Sequence, residues 1–164
     1  MIRDLELSIL EILFEDARTT IPQIAVMTGH SEMEVEAVIR SLEAQKIILK
    51  YPAMINWDKV ENEMVEALIE VRVTPQRDKG FDSIAEQIYR FEEVSSVYLM
   101  SGAYDLMVMV KAASLKKLAQ FVSEKLSTLD NVISTATHFV LKKYKIEGVI
   151  CEGRQTDDRL VISP

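Results

Sequence analysis

Ser101-Gly102-Ala103-Tyr104-Asp105 is the stretch in which small-molecule chemistry and turn formation meet. A glycine lets another molecule approach the main chain closely. An aspartate three residues on can accept from an ammonium group, and neighbouring amides can hold a carboxylate. From the residues alone turn chemistry is the favoured reading of both, with Gly102 as the hairpin turn and Asp105 as its cap. A second set is basic. Arg3, Arg18, Arg40, Lys46 and Lys50 are the phosphate-neutralising groups of the first fifty residues, but nine acidic residues accompany these five. The local balance is therefore −4, within a net charge of −7 for all 164 residues. An acidic chain repels bare phosphate, so composition by itself argues against a nucleic-acid partner.

Other chemistries are missing from the sequence. It has no phosphate-cradling Gly-rich loop, no zinc-ligand spacing and no nucleophile motif. His30 and His138 stand far apart, and lone histidines are usually structural or exposed. Cys151 is the single cysteine, so nothing requires an oxidising compartment. No apolar run approaches bilayer length, and Met1-Ile2-Arg3-Asp4 lacks the basic-then-apolar order of a secretion signal. The expectation is a cytoplasmic protein without metal or cofactor.

The elements that position these residues follow from periodicity. Leu5, Ile9, Ile12 and Leu13 recur as one helical stripe that ends at Asp16-Ala17-Arg18-Thr19. Thr20 with Gln23 and Ser31 with Glu34 read as two capping boxes, and Gly29 suits a left-handed helix stop. The second helix buries Ile21, Ile24, Ala25 and Met27; the third buries Val35, Val38, Ile39 and Leu42. Two short helices joined by a tight Gly-containing turn, packed on a first helix, match the helix-turn-helix plan and also any three-helix cluster. Ile47 to Tyr51, interrupted by Pro52 and resumed at Met54-Ile55-Asn56, predicts a short hairpin in the position of a wing. Residues 57–66 read as an acid-rich link anchored by Trp57, Val60 and Met64.

Beyond the link the period changes. Ala67–Val73 alternates as a strand, and Asp78–Phe91 carries Phe81, Ile84, Ile88 and Phe91 at helical spacing. Val97–Met100 and Leu106–Val110 are strands flanking the turn. Ser114 caps a helix with Leu115, Leu118, Ala119, Val122, Leu126 and Leu129 on its apolar side, and Val132–Lys142 is a last long strand. The order βαββαβ is the ferredoxin-like pattern, in which both helices cover one face of an antiparallel sheet. Leu106–Val110 is apolar at every position, as in a strand buried on both sides. A second copy of the chain is the simplest cover for the other face, although Glu70 and Arg72 would then lie in or beside the interface.

This layout resembles the Lrp/AsnC (feast/famine) transcription regulators over nearly the whole chain. Asp16-Ala17-Arg18 is similar to that family's D-[AG]-R after the first helix. Leu42-Glu43 with Ile47-Ile48 is similar to its L-E…G-[FV]-I, and Tyr51 with Asn56 to its Y-x-A-x-x-[ND]. Val97–Asp105 is similar to its C-x-x-V-[ST]-G-x-[YF]-D hairpin, and Arg159-Leu160-Val161-Ile162 to its usual tail. The resemblance implies an α+β chain: a winged helix-turn-helix over 1–56, a linker over 57–66, and a ferredoxin-like (RAM-type) effector-binding and oligomerising domain over 67–164. It implies double-stranded DNA as partner, met by Arg18, Ser31, Met33, Glu34, Arg40, Lys46 and Lys50. It also implies an amino acid or related metabolite held near Ser101, Gly102, Ala103, Tyr104 and Asp105, with hydroxyls from Thr135 and Thr137. Homodimers assembling to octamers or similar rings are expected, with no membrane association.

The sequence departs from the family pattern in two places. The third helix, commonly rich in arginine, carries Glu36, Ala37, Val38 and Ser41 and keeps Arg40 as its main basic group. Glu32, Glu34 and Glu36 crowd its start, where helix capping and solubility explain them before base reading does. In the effector region, Ala103 stands where an acidic residue is frequent and Ala136 where an arginine often lies between the two threonines. Two other classes of function stand beside the regulator: a metabolite-sensing oligomer with weak or lost DNA binding, and, as a minor alternative, an enzyme like the sirohaem decarboxylases of related fold, for which His138 would be the haem-ligand candidate.

Overall fold

The computed structural model describes residues 4–60, 64–75 and 80–151. It divides into two compact units, at Ile55 and Asn56.

The first unit is built on three helices, α1 (Asp4–Glu15), α2 (Ile21–Thr28) and α3 (Glu32–Ala44). Ile9, Ile24, Ala25, Val35 and Leu42 form its buried core, with Leu5, Ile12, Leu13, Ile21, Val38 and Ile39 packed around them. Met27, expected on the buried side of α2, is exposed. α2 ends on Gly29 at φ 71, a left-handed stop that glycine adopts without a Cβ clash. Ala25 O accepts from both Gly29 N and His30 N there, so the turn into α3 is tight.

The expected strands of the wing are not formed. Residues 47–56 carry no strand pairing, because the first amides of the segment serve the end of α3 instead. Lys46 N donates to Glu43 O, and Ile47 N and Ile48 N both donate to Leu42 O. With Lys46 in the left-handed region at φ 59, the first two of these bonds make a Schellman cap. Ile48 packs against the helical core, and the Tyr51 hydroxyl donates to Glu43 Oε1 at 2.8 Å.

The second unit holds a four-stranded antiparallel sheet in the order β2-β3-β1-β4, formed by β1 (Val65–Val73), β2 (Val94–Leu99), β3 (Leu106–Ala112) and β4 (Val132–Phe139). β1 begins two residues before the sequence expectation, and β4 stops at Phe139 rather than Lys142. Helices α4 (Asp82–Tyr89) and α5 (Leu115–Phe121) cover one face. Ile84, Ile88, Leu118, Phe121 and Leu126 meet Ala67, Ile69, Val71, Leu106, Val108 and Val110 there. The expected start of α4 at Asp78, like Arg3 and the tail Arg159–Ile162, lies outside the described residues.

Two apolar expectations in this unit give way to geometry. α5 runs on into a wider π turn at Val122–Leu126, which shifts the helical phase. In the regular turns before it, Leu115 and Ala119 face solvent, while Phe121, absent from the expected stripe, is buried against Phe91 with ring centroids 5.5 Å apart. On β3, burial alternates: Leu106, Val108 and Val110 are enclosed, whereas Met107 and Met109 are only half-buried. Along β4 and into the segment beyond it, Ile133, Phe139 and Leu141 are also exposed in the single chain. After β4, a small hairpin of β5 (Lys145–Ile146) and β6 (Val149–Ile150) returns the chain to Cys151, whose carbonyl accepts from Asn56 Nδ2 at 2.7 Å.

Candidate nucleic-acid interface and effector hairpin

α3 presents an exposed strip of Met33, Ala37, Arg40, Ser41 and Ala44 opposite its buried Val35 and Leu42. Small and apolar groups with one arginine suit the edge of a base pair, where thymine offers a methyl and guanine two acceptors. The acidic crowding read from the sequence is altered by where the carboxylates point. Glu34 Oε2 accepts from Ser31 N at 2.9 Å and from Ser31 Oγ at 2.7 Å, closing the capping box. Those two bonds hold its carboxyl below the ordinary carboxylate range. Glu36 pairs with Arg40 one turn on, and Glu43 accepts from Tyr51. Desolvation and that acceptor push the Tyr51 phenol up to about 12. Three of the four glutamates on α3 are thus engaged.

The sequence-expected DNA residues separate into groups. Ser31 and Glu34 have their side chains committed to each other at the helix start. Met33, with 79% of its surface exposed, and Arg40 stand on the open strip. Arg18 belongs to the loop before α2 and lines a shallow hollow of about 840 Å³ with Thr19, Thr20, Pro22 and Gln23. Lys46 and Lys50 are exposed just beyond α3. The Glu36–Arg40 pair was legible as an i, i+4 spacing; the Tyr51–Glu43 contact had no local signal.

In the hairpin, Asp105 is built into the backbone. Its N–H donates to Val71 O at 3.1 Å, its carbonyl accepts from Met100 N at 2.8 Å, and its Oδ2 accepts from Val73 N at 2.9 Å. Ser101, Gly102 and Ala103 are exposed; Tyr104 and Asp105 are half-buried. A Cβ on Gly102 would meet nothing within 4 Å, so the space above this backbone is open. Thr135 and Thr137 pair with Val71 and Ile69 and therefore share the helix-covered face. Thr135 Oγ1 lies 3.4 Å from Ser127 Oγ, just past the π turn. Asp105 and Thr135 reach the same end of the sheet on opposite flanks of β1, about 10 Å apart by strand spacing. A groove of about 400 Å³ in this unit is formed by other residues, Trp57, Asp58, Val60, Met64, Glu66, Lys111 and residues 140–143.

Comparison with known proteins accords with both units. Residues 2–48 match the family model described as winged helix-turn-helix DNA-binding. Residues 66–150 match the model of the Lrp/AsnC ligand binding domain. The chain is 54% identical over 160 residues to an uncharacterised HTH-type transcriptional regulator of Bacillus subtilis, YugG, covering 97% of this chain and 96% of that protein. It is 32% identical over 145 residues to the HTH-type transcriptional regulator LrpA of Pyrococcus horikoshii, covering 88% of this chain and all of that one. Its fold is similar to the crystal structure of a Neisseria meningitidis transcriptional regulator in complex with L-Met. There the TM-score is 0.70 at 22% identity, over 91% of this chain and 96% of that one.

Proposed function

The chain belongs to the Lrp/AsnC family of transcriptional regulators, and on that premise we propose how its two units divide the work. The first unit holds double-stranded DNA through the exposed strip of α3. Met33 and Arg40 meet base edges, Ser31 and Glu34 stand at the helix start beside the groove, and Arg18, Lys46 and Lys50 neutralise phosphates. The observation that carries this reading is the engagement of Glu34, Glu36 and Glu43 by neighbouring side chains at the surface. It leaves the strip itself less acidic than the −4 balance implies. Phosphate contact supplies much of DNA affinity, so binding weakens as salt rises.

The second unit senses an amino acid or related small metabolite at Ser101–Asp105, with Thr135 and Thr137 at the same sheet end. Two features support this: the open backbone above Gly102, and the L-Met complex of the Neisseria protein of like fold. A homodimer forms through the uncovered sheet face and assembles into octamers or similar rings, so that neighbouring copies complete the effector site. The protein acts as a regulator rather than an enzyme, in the cytoplasm. No helix among the described residues is long and apolar enough to cross a membrane.

Gel shifts with the protein's own upstream DNA, at several salt concentrations and with each amino acid, test the reading. Specific complexes that weaken with salt and respond to one amino acid are expected. Absence of specific binding at low salt, with and without ligands, would leave the second reading: a metabolite-sensing oligomer that does not bind DNA. The net charge of −7 favours that alternative.

A further inference from the structure

The open face of the sheet carries a charged pair near its centre. Glu70 lies mid-strand on β1, between Met107 of β3 and Ala136 of β4. Its Oε1 stands 3.3 Å from Nε2 of His138, one register row away, where His138 faces Leu68. The same face holds Leu68, Tyr98, Met107, Met109 and Ala136 around the pair. The other charged groups lie toward its margins. Arg72 is two residues along β1 opposite Ser134, while Glu66 is engaged by Lys143 and Lys111. Among the described residues Glu70 is the carboxylate paired with His138, and Glu66, Lys111, Arg72 and Tyr98 are further ionisable groups on this face.

Covering such a face takes a carboxylate out of water, which is costly unless a countercharge goes with it. A neutral imidazole offers Glu70 one hydrogen bond, whereas an imidazolium offers the bond and the charge. Histidine is the side chain that makes this change between about pH 5 and 8. From this arrangement we infer that assembly through the open face takes up protons on the Glu70–His138 pair, so that dimerisation strengthens on acidification. The inference rests on the sheet-to-sheet dimer proposed above. Its sign follows from linkage: the covered state holds the proton more tightly, so the dimer is strongest below the histidine range and weakens as pH rises through it. Each copy contributes one pair, so the dependence is doubled per dimer.

Sedimentation velocity of the full chain over a dilution series, between about pH 6 and 8 at constant ionic strength, tests it. The wild-type dissociation constant is expected to rise roughly ten-fold or more across that range. His138→Gln is expected to give a flat profile, and Glu70→Gln to lose the strengthening on acidification or reverse it, because a covered imidazole without a countercharge favours its neutral form. Dilution calorimetry in two buffers of different ionisation enthalpy counts the protons in the wild-type protein without any variant. A flat wild-type profile, or one that persists in His138→Gln, overturns the inference; Arg72 would then be the group that neutralises Glu70. Leu68→Asp separates this failure from that of the underlying reading. If Leu68→Asp dissociates the protein while the wild type ignores pH, only the proton linkage falls. A dimer that tolerates Leu68→Asp means the sheet is not the interface, and the inference falls with it.

Discussion

Asp105 binds its own backbone before it binds anything else. Its Oδ2 accepts the Val73 amide and its main chain closes the β2–β3 hairpin, so an alanine there removes an acceptor as well as a charge. Asp105→Ala is expected to cost roughly 1–2 kcal/mol in chemical denaturation, which confounds it as a control for effector binding. Asp105→Asn retains a carbonyl acceptor and drops the charge. If the carboxylate meets an α-ammonium group, Asp105→Asn keeps near-native stability and loses the thermal shift that the best amino acid gives the wild type. Equal shifts in both proteins would remove Asp105 from that role. Lys46 is the other position where backbone decides. A lysine at φ 59 carries a left-handed penalty of about 1 kcal/mol that glycine escapes. Lys46→Gly should therefore stabilise the protein by about 0.5–1 kcal/mol while weakening DNA binding. A loss of stability would mean that the cap is held by the lysine side chain.

At the scale of the element, α3 is governed by its ends and by one surface pair. The Ser31–Glu34 box satisfies amides that the first turn leaves without helical partners. Ser31→Ala is expected to cost about 1 kcal/mol, read from the denaturation midpoint. Glu34 gives the same end a pH dependence. Its carboxyl is held below its ordinary value of about 4.5 by the bonds to Ser31. The stabilisation is therefore complete above that value and is lost as acid protonates the group. Thermal melts in acid should fall less steeply in Glu34→Gln than in the wild type. On the surface of the helix, Arg40 is paired to Glu36, an exposed i, i+4 contact that contributes little to stability. Its effect is on charge: Glu36→Gln releases Arg40 and should tighten DNA binding. Arg40→Ala should weaken it several-fold and relax the preference at the base pair it meets, whereas Lys50→Ala should weaken binding to all sequences alike and reduce the salt slope by about 1. Gel shifts at three salt concentrations distinguish these outcomes.

At the scale of the whole molecule, the uncovered sheet is the feature that a single chain does not resolve. Its helix-covered side is enclosed by Ile84, Ile88, Leu118, Phe121 and Leu126. The other side leaves Tyr98 half exposed and Met107 and Met109 only half buried. An apolar surface of this kind is usually an interaction site. An added carboxylate without a countercharge of its own should oppose closure, so Leu68→Asp is expected to convert the proposed dimer to a monomer that still folds around the helix-covered core. Light scattering coupled to gel filtration reads the mass. A Leu68→Asp protein of unchanged mass would place the interface elsewhere.

Local rules in the sequence determined much of this protein. Helix stops at Gly29, caps at Ser31 and Ser114, the period-two pattern of β1 and the turn at Ser101–Asp105 depend on neighbours a few residues away, which the chain order specifies. The order βαββαβ followed from those elements, and the family resemblance from motifs spread along them. Tertiary structure alone decided the rest, because it depends on partners distant in sequence. Ile47 and Ile48, apolar enough for a strand, spend their amides on Leu42 O at the end of α3, so the wing strands do not form. Packing on the sheet buries Leu118 and Phe121 and leaves Leu115 exposed, and the π turn at Val122–Leu126 keeps Leu126 on the buried side. Asp105 finds Val73 thirty-two residues away, and Glu70 finds His138 on the neighbouring strand β4. Register and packing assign such contacts, and a periodic pattern carries no information about which distant atom fills a bond.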